Sequence, residues 1–259
     1  MSVNFSIRAT IVAFLIGNAA VAQINESDTL SFQLKTSFTG NYQTGNLTVL
    51  TVRSRLDAAV KFSENVVFKT QNSSLYQEFF NNKADNDIFS RNYLYYKPQN
   101  KIYPYAIAYV SSNYRRKVDL RYFAGLGLTY QPIKSKNNVL KISANALYEQ
   151  SDFSVRIFND AFYNGTPQIK VWRATAFVSG FSWLFERRLR LYYDAFWQPA
   201  LDKISNYRAQ VDIGIDFPIW KGLAFNALYT YSHENVVPIN TKTTDNILTF
   251  GLSYSQQFK

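Results

Sequence analysis

The sequence contains one histidine, and its chain neighbours are of the residue types that hydrolases use. His233 stands between Ser232 and Glu234, and a serine, a histidine and an acid can act as nucleophile, general base and orienting group. Adjacent residues of a strand point to opposite faces, so Ser232 cannot reach His233, and a serine from a neighbouring strand would be required. A hydrolase that uses His233 therefore stays an alternative, and the main interpretation contains no catalytic residue.

Ligands for metals and cofactors are few. The chain has no cysteine, which excludes thiol catalysis, disulfides and thiolate metal sites. Asp85, Asn86 and Asp87 could offer oxygen ligands to Ca²⁺ from a predicted surface loop, but no glycine-turned twelve-residue ligand loop surrounds them. Gly125 and Gly127 lack the third glycine and the following helix of a dinucleotide-binding loop. We expect neither a metal nor an organic cofactor.

The largest set of chemically capable side chains is a series of charged residues that recur at a spacing of two. Arg53, Arg55 and Asp57 show this spacing in one segment. Such a spacing places side chains on one face of a strand. If the strands enclose water, this face lines a lumen, and the predicted lumenal residues are Lys35, Arg53, Arg55, Asp57, Lys61, Lys69, Arg91, Lys97, Arg121, Lys141, Glu149, Arg173, Arg190, Asp194, Asp212 and Asp216.

Bases outnumber acids in this predicted lumen by eleven to five. One interpretation is structural: pairs of Arg and carboxylate brace the wall, although five acids can neutralise at most five bases. The other is functional: the unpaired bases make the lumen positive, and small anionic solutes are favoured, as in pores lined by rings of Arg and Lys. The sequence leaves both interpretations open.

The elements that position these residues have a period of two. In the last segment Leu248, Phe250 and Leu252 alternate with Thr249 and Gly251, which predicts a strand with one apolar and one polar face. Connections after odd-numbered strands are mostly long, with 79–87 and 151–168 among them, and those after even-numbered strands are mostly short, as in an antiparallel meander. The predicted strands are 30–39, 47–62, 66–78, 88–97, 101–113, 120–131, 139–150, 169–183, 188–199, 207–218, 222–233 and 245–258.

An all-β barrel of about twelve strands can lie in a membrane or in water. Aromatic residues make up 17% of the sequence and crowd the strand ends, as at Tyr103, Trp172, Trp197 and Trp220, where membrane proteins carry aromatic belts. Strands of about ten residues with one apolar face suit a wall that meets lipid outside and water inside. We therefore predict a transmembrane barrel, about 12 Å in wall radius. The alternative is a soluble secreted barrel or sandwich, in which the apolar face points inward.

Residues 1–22 resemble a cleaved secretory signal peptide. Arg8 and the amino terminus give a positive start, residues 11–16 are apolar, and residues 20–22 (Ala-Val-Ala) match the small-x-small cleavage pattern. Cleavage would leave residues 23–259 as one barrel domain, with a formal charge of +9 because Arg8 is lost from a total of +10. Export removes the chain from nucleic acid, so the basic balance does not indicate that partner.

The C-terminal segment carries a pattern typical of the assembly signal of outer-membrane proteins. Gly251, Tyr254 and Phe258 supply its glycine and aromatic positions. The usual signal ends on the aromatic residue, whereas here Lys259 follows Phe258, and Gln256 occupies a position that is often apolar. We expect a location in the outer membrane of a Gram-negative bacterium, with membrane lipid and the outer-membrane assembly machinery as partners.

Three stretches suggest a family. Residues 39–47 (Thr-Gly-Asn-Tyr-Gln-Thr-Gly-Asn-Leu) follow the first strand, residues 121–130 form a glycine-rich central strand, and residues 140–153 end in an acidic and aromatic stretch. Together they resemble an uncharacterised family of outer-membrane barrels, a domain of unknown function whose members are sometimes labelled salt-induced outer membrane proteins. The resemblance implies an outer-membrane barrel over nearly the whole chain after the signal peptide, and it supplies no catalytic residue or substrate.

The sequence thus predicts an integral outer-membrane barrel that is either a narrow, anion-favouring pore or an envelope-structural protein. Two alternatives remain. One is a membrane-embedded lipid hydrolase that uses His233. The other is a surface-binding barrel that acts through its outer loops, of which 151–168 is the longest.

Overall fold

The computed structural model of the protein describes residues 24–45 and 48–258, so the predicted signal peptide and Lys259 lie outside the described residues. Strands β1 to β6 are Phe32–Gln43, Val49–Ser63, Val66–Phe79, Asn82–Tyr96, Ile102–Asn113 and Val118–Lys134. Strands β7 to β12 are Asn138–Phe153, Gln168–Leu184, Leu189–Pro199, Tyr207–Trp220, Leu223–Glu234 and Thr244–Phe258.

The twelve strands form one closed barrel. Each pairs antiparallel with the next, and β12 pairs with β1, with Phe258 opposite Phe32. Closure leaves no open sheet edge. The predicted all-β antiparallel meander of twelve strands is confirmed. No helix in the described part of the chain is long and apolar enough to cross a membrane.

The barrel wall is apolar outside and polar inside. In β12 Leu248 and Phe250 are about half exposed, whereas Thr249, Ser253 and Ser255 are buried. A soluble barrel has the opposite arrangement, because water outside and a packed core inside reverse the two faces. The outward apolar face therefore fits a wall surrounded by lipid.

The prediction of a long loop at 79–87 is wrong. The chain turns at Phe80 and Asn81, whose φ angles are 48° and 60°, as a tight hairpin with two left-handed residues requires. Strand β4 then begins at Asn82. Asp85 and Asp87 belong to this strand rather than to a surface loop. The strand was predicted only from residue 88 onward, because residues 82–87 lack the apolar positions that reveal a period of two.

Three long connections remain, 154–167, 200–206 and 235–243, and they pack together at one rim of the barrel. We call this the loop rim, and the opposite rim, where β1 begins and β12 ends, the terminal rim. Loop 154–167, which contains the short 3₁₀ helix Ala161–Tyr163, bridges to loop 235–243 through Phe158 and Pro238. The Tyr163 hydroxyl accepts a hydrogen bond from Asn206 at 2.8 Å.

Much of the space inside the barrel is filled by large side chains. Tyr93, Tyr95, Tyr103 and Tyr105 form a buried aromatic cluster in the half near the terminal rim. Gly214 makes room for another ring, because a Cβ there would overlap the Tyr192 ring. Bulky residues therefore narrow the lumen from several sides.

Candidate functional site

The inner face of the barrel carries the charged residues that the sequence analysis assigned to a lumen. Most of them are buried although they lie in a wall surrounded by lipid, because they point toward one another across the interior. Those on inward positions are Lys35, Arg53, Arg55, Asp57, Lys61, Lys69, Arg91, Arg121, Lys141, Glu149, Arg173, Arg190, Asp194, Asp212 and Asp216. Lys97 is the exception: it lies in the exposed turn after β4, beside the Tyr96 ring.

Asp216, on β10, is the centre of a buried ion-pair network. The Lys35 ammonium lies 2.9 Å from its carboxylate, and the Arg190 guanidinium forms a second ion pair with it. Asn226 and Ser253 donate hydrogen bonds of 2.7 and 3.1 Å to the other carboxylate oxygen. Five different strands thus meet at one carboxylate, and such a network braces the wall.

A second network surrounds Glu149 on β7. Its carboxylate lies 3.2 Å from Arg173 and also pairs with Arg208. Arg121 donates two hydrogen bonds, of 2.8 and 3.0 Å, to the carboxylate of Glu234 on β11. Because β6 and β11 are separated by several strands on either side of the ring, this ion pair crosses the lumen.

The lumen is also crossed at the loop rim, by a strap formed from Arg115 and Arg116 in the turn between β5 and β6. Arg116 lies 2.7 Å from Asp245 and 3.1 Å from Glu234, while Arg115 contacts Asp245 at 2.7 Å and Asp85 at 3.2 Å. Asp245 and Glu234 lie on β12 and β11, on the side of the ring opposite the turn. The strap therefore obstructs the loop-rim mouth.

The N-terminal segment Ile24–Asp28 obstructs the other mouth. Glu26 is only 2% exposed, and its carboxylate lies 2.6 Å from Lys141 and 3.3 Å from Lys69. The Tyr103 hydroxyl donates a hydrogen bond to it at 3.0 Å, and Ile24 packs in the aromatic cluster. We call this segment the plug, because it fills the interior near the terminal rim.

Between the plug and the strap lies a chamber of about 100 Å³. Arginines outnumber acids among its lining residues. Arg53 donates a hydrogen bond of 3.0 Å to Thr230, and the Arg91 guanidinium lies 5.6 to 5.8 Å from three aromatic ring centres. Within the described residues neither arginine forms an ion pair. The charged residues that line the chamber are Arg53, Arg55, Arg91, Arg115, Arg116, Asp87, Asp212 and Glu234.

The lumen contains charges that the sequence analysis missed. In the described part of the chain they reduce the excess of bases over acids on inward positions from five, counted without Lys97, to three. Arg208 shares the parity of Asp212 and could have been found by that signal. The others lie in the plug, in the turn before β6, in the polar first half of β4 or at strand ends, where apolar alternation is absent or only begins. The additional charged residues are Glu26, Asp85, Asp87, Arg115, Arg116, Arg208, Glu234 and Asp245.

The residues of the hydrolase alternative do not come together. His233 faces outward, where its Nδ1 lies 2.9 Å from the Thr244 hydroxyl and its ring stacks on Tyr207. Ser232 faces inward and accepts a hydrogen bond from Arg116 at 3.2 Å. The strand residues paired with His233 are Ala209 and Thr244, so neither neighbouring strand presents a serine to it.

The outer surface of the loop rim is held by polar contacts. Asp160 accepts a hydrogen bond from Lys203, which lowers the pKa of this carboxyl below its usual value. The Asn159 side chain accepts a hydrogen bond of 3.0 Å from the backbone of Val237. Phe162 is 68% exposed at the tip of the longest loop, so this loop presents an aromatic side chain to the exterior.

The residues of the predicted assembly signal all lie on β12. Gly251 faces the lumen opposite Thr39, and Tyr254 faces outward. The Phe258 ring lies 5.8 Å from that of Phe32, at the seam where the barrel closes.

The closed barrel, its apolar exterior and its charged interior define the outer-membrane class of β-barrels. The NanC porin shares this fold, with a TM-score of 0.50, 10% sequence identity, and 86% of this chain and 98% of that chain covered. An outer-membrane channel from Pseudomonas putida F1 is similar at a TM-score of 0.47 and 10% identity, with 90% and 97% covered. The translocator domain of the autotransporter NalP from Neisseria meningitidis has a TM-score of 0.44 and 12% sequence identity, with 88% of this chain and 89% of that chain covered.

The chain belongs to the family described as "Protein of unknown function, DUF481", whose profile matches residues 36–255. This confirms the family expected from the sequence. No curated protein matches the chain. At 10% identity the likeness to NanC concerns the fold, and the family description contains no activity, so function has to be argued from the lumen.

Proposed function

We propose that this protein is a narrow, anion-favouring pore of the Gram-negative outer membrane, which opens from a closed arrangement. The observation that carries the proposal is that inward-facing bases outnumber acids by three in the described residues, and that Arg53 and Arg91, in the chamber between plug and strap, have no ion-pair partner there. A positive excess in a narrow space with a low-dielectric wall attracts small anions more strongly than the same charges in bulk water.

We expect a permeating anion to bind transiently to Arg53 and Arg91. Both guanidinium groups are buried, and their nearest interactions are a hydroxyl and aromatic rings rather than carboxylates. A guanidinium without a carboxylate partner keeps donors for an incoming anion. Membrane lipid surrounds the proposed pore, and the outer-membrane assembly machinery inserts it.

The closed arrangement has two constrictions. The plug is held by Glu26, and the strap by Arg116 and its acids. Both consist of residues outside the strands, so each can move without breaking the hydrogen-bonded wall. The Asp216 and Glu149 networks connect the strands themselves and stay in place.

A second candidate function, an envelope-structural barrel, is supported by these same two networks. Arg190 and Asp216 are fully buried, and Arg208 and Glu149 nearly so, and a lumen bridged by ion pairs stiffens a wall without conducting. The two functions differ in one measurable property, which is the ionic current through the purified barrel in a lipid bilayer.

The test is the reversal potential across a KCl gradient in a planar bilayer. Arg53→Gln with Arg91→Gln is the variant of choice, because neither change leaves an ion-paired carboxylate unpaired, whereas Arg55→Gln would free Asp57 and Asp212. We expect the wild type to favour chloride and the double variant to lose most of that preference. Arg187→Gln, in an exposed turn outside the lumen, is the matched control.

Three outcomes decide between the functions. Chloride preference that falls only in the lumenal variant supports the pore. Cation preference in the wild type contradicts the anion-favouring lumen. Absence of current in the wild type, and in a variant whose plug is weakened, would favour the structural barrel.

A further inference from the structure

A polar area lies on the lipid-facing wall, at mid-depth on strands β1 to β4. We call it the wall patch, and its members are neighbours in the strand register: Ser54 lies opposite Ser74, Asn72 opposite Ser90, and Thr70 opposite Asn92. All of them carry a hydroxyl or an amide. The wall patch consists of Thr36, Ser54, Thr70, Asn72, Ser74, Ser90 and Asn92.

These side chains point out of the barrel. Ser54 is exposed and shares its parity in β2 with Leu56, which is 42% exposed; Ser90 likewise shares the parity of Ile88, which is 48% exposed. The intervening residues Arg53 and Arg91 are buried in the lumen. Parity and exposure therefore agree that the wall patch faces the membrane.

The wall patch lies in the middle of the hydrocarbon layer. On β3, Asn72 is midway between Phe68 and Tyr76, and on β1, Thr36 lies between Phe32 and Tyr42, closer to Phe32. Aromatic residues at both ends of a strand mark the two membrane interfaces.

The rest of the wall is different at this depth. The outward positions of β6 to β12 carry apolar side chains, which range from small ones such as Ala146 to large ones such as Leu126, Ile213 and Phe250, which are 72%, 42% and 46% exposed. The wall patch is therefore a local change on one side of the barrel. It is unexpected on a wall that meets only lipid, because acyl chains offer no hydrogen-bond partner.

Internal contacts satisfy the patch in part. The Asn72 amide donates to the Thr70 hydroxyl at 3.0 Å, and the Asn92 amide donates to the Ser90 hydroxyl at 3.0 Å. Each of these hydroxyls still has its own proton to donate, and each amide oxygen still accepts. A partner inside the hydrocarbon layer with both donors and acceptors is required, and this restricts the partner to another membrane-spanning protein.

We propose that the wall patch is the interface through which this protein binds a second copy of itself. A twofold axis along the membrane normal brings the same residues together at the same depth, so no adjustment of height is needed. Ser, Thr and Asn both donate and accept, which makes the patch complementary to its own copy. Their short side chains also let the two walls approach closely.

The dimensions are sufficient for such an interface. Four strands span about 19 Å, and with its apolar border the patch offers roughly 500 Å² on each copy, close to the lower bound for a specific interface. Phe38 and Ile88 form that border, and Leu56 lies within the patch between Thr36 and Asn72. The proposal does not depend on whether the lumen conducts.

Cysteine cross-linking tests the proposal cleanly, because the chain has no cysteine of its own. Ser54→Cys and Ser90→Cys should each give a disulfide-linked dimer in native membranes. Ala146→Cys, on an exposed outward position of β7, is the matched control on the opposite side. We expect at least about tenfold more dimer from the patch positions than from the control.

A second variant tests the chemistry of the contact. Ser54→Leu, Asn72→Leu and Ser90→Leu together make the patch resemble the rest of the wall, so the barrel should fold and run as a monomer in size-exclusion chromatography with light scattering. Equal cross-linking at the patch and at Ala146 would overturn the proposal, as would a dimer that survives the leucine variant. Cross-linking of the patch to a different protein would also reject a second copy as the partner.

Discussion

Weakening the plug should open the terminal-rim mouth, and Glu26→Ala is the most direct perturbation. The Glu26 carboxylate is the only acidic group of the plug that the described contacts bind to lumenal bases, with Lys141 at 2.6 Å and Lys69 at 3.3 Å. Alanine removes both ion pairs and the hydrogen bond from Tyr103. Lys141 keeps its contact with Asn25 at 2.7 Å, so the plug is weakened rather than abolished.

The size of the effect follows from these contacts. Each hydrogen bond to a charged group contributes about 1.5 to 3 kcal/mol, and two such bonds to lysine are lost. The released lysines are hydrated again when the plug is displaced, so we take the lower end of the range for each bond, which gives about 3 kcal/mol for the two bonds together. Since each 1.4 kcal/mol is tenfold in an equilibrium, the displaced fraction should rise about a hundredfold.

Two measurements check this prediction. Single-channel recording should show a higher open fraction, with anion preference at least as strong as in the wild type, because an acid has been removed from the lumen. Labelling of Asp28→Cys by a charged maleimide should become faster in the Glu26→Ala background. Asp160→Ala at the loop rim removes one acid that pairs with Lys203 and is the matched control. Unchanged labelling and current in a folded Glu26→Ala barrel would refute the reasoning.

Three further predictions concern the wall. Ile213→Arg on the outward face should cost about 2 to 4 kcal/mol of folding free energy in lipid, while Asp212→Asn inside should cost less; equal costs would contradict the orientation of the faces. Phe258→Ser should remove the ring contact with Phe32, worth about 0.5 to 1.5 kcal/mol, and slow insertion, as measured by protease resistance of the membrane fraction; unchanged insertion would argue against its role in assembly. Gly214→Ala should displace the tyrosine ring beside it and lower stability by about 1 to 3 kcal/mol, a change that urea unfolding of the barrel in detergent detects.

The sequence by itself determined the class of fold, because period-two alternation is a local property that can be seen in the sequence of each strand alone. It also determined which charged residues share the inner face, as at Arg53 and Arg55, because side chains two residues apart in a strand point to the same side. The same parity could have revealed Arg208. It could not reveal the first half of β4, where Asp85 and Asp87 alternate with polar residues instead of apolar ones.

Only the tertiary structure decided what the lumenal charges do. Closing twelve strands into a ring brings the turn that carries Arg116 against Asp245, 129 positions further along the chain, and brings Lys69 and Lys141 to the same carboxylate of Glu26. Such distances depend on how the ring closes, and no local pattern encodes them. The same pairing of strands places the polar residues of β1 to β4 side by side on the outer wall. They form one continuous polar surface because they lie at the same depth in the membrane.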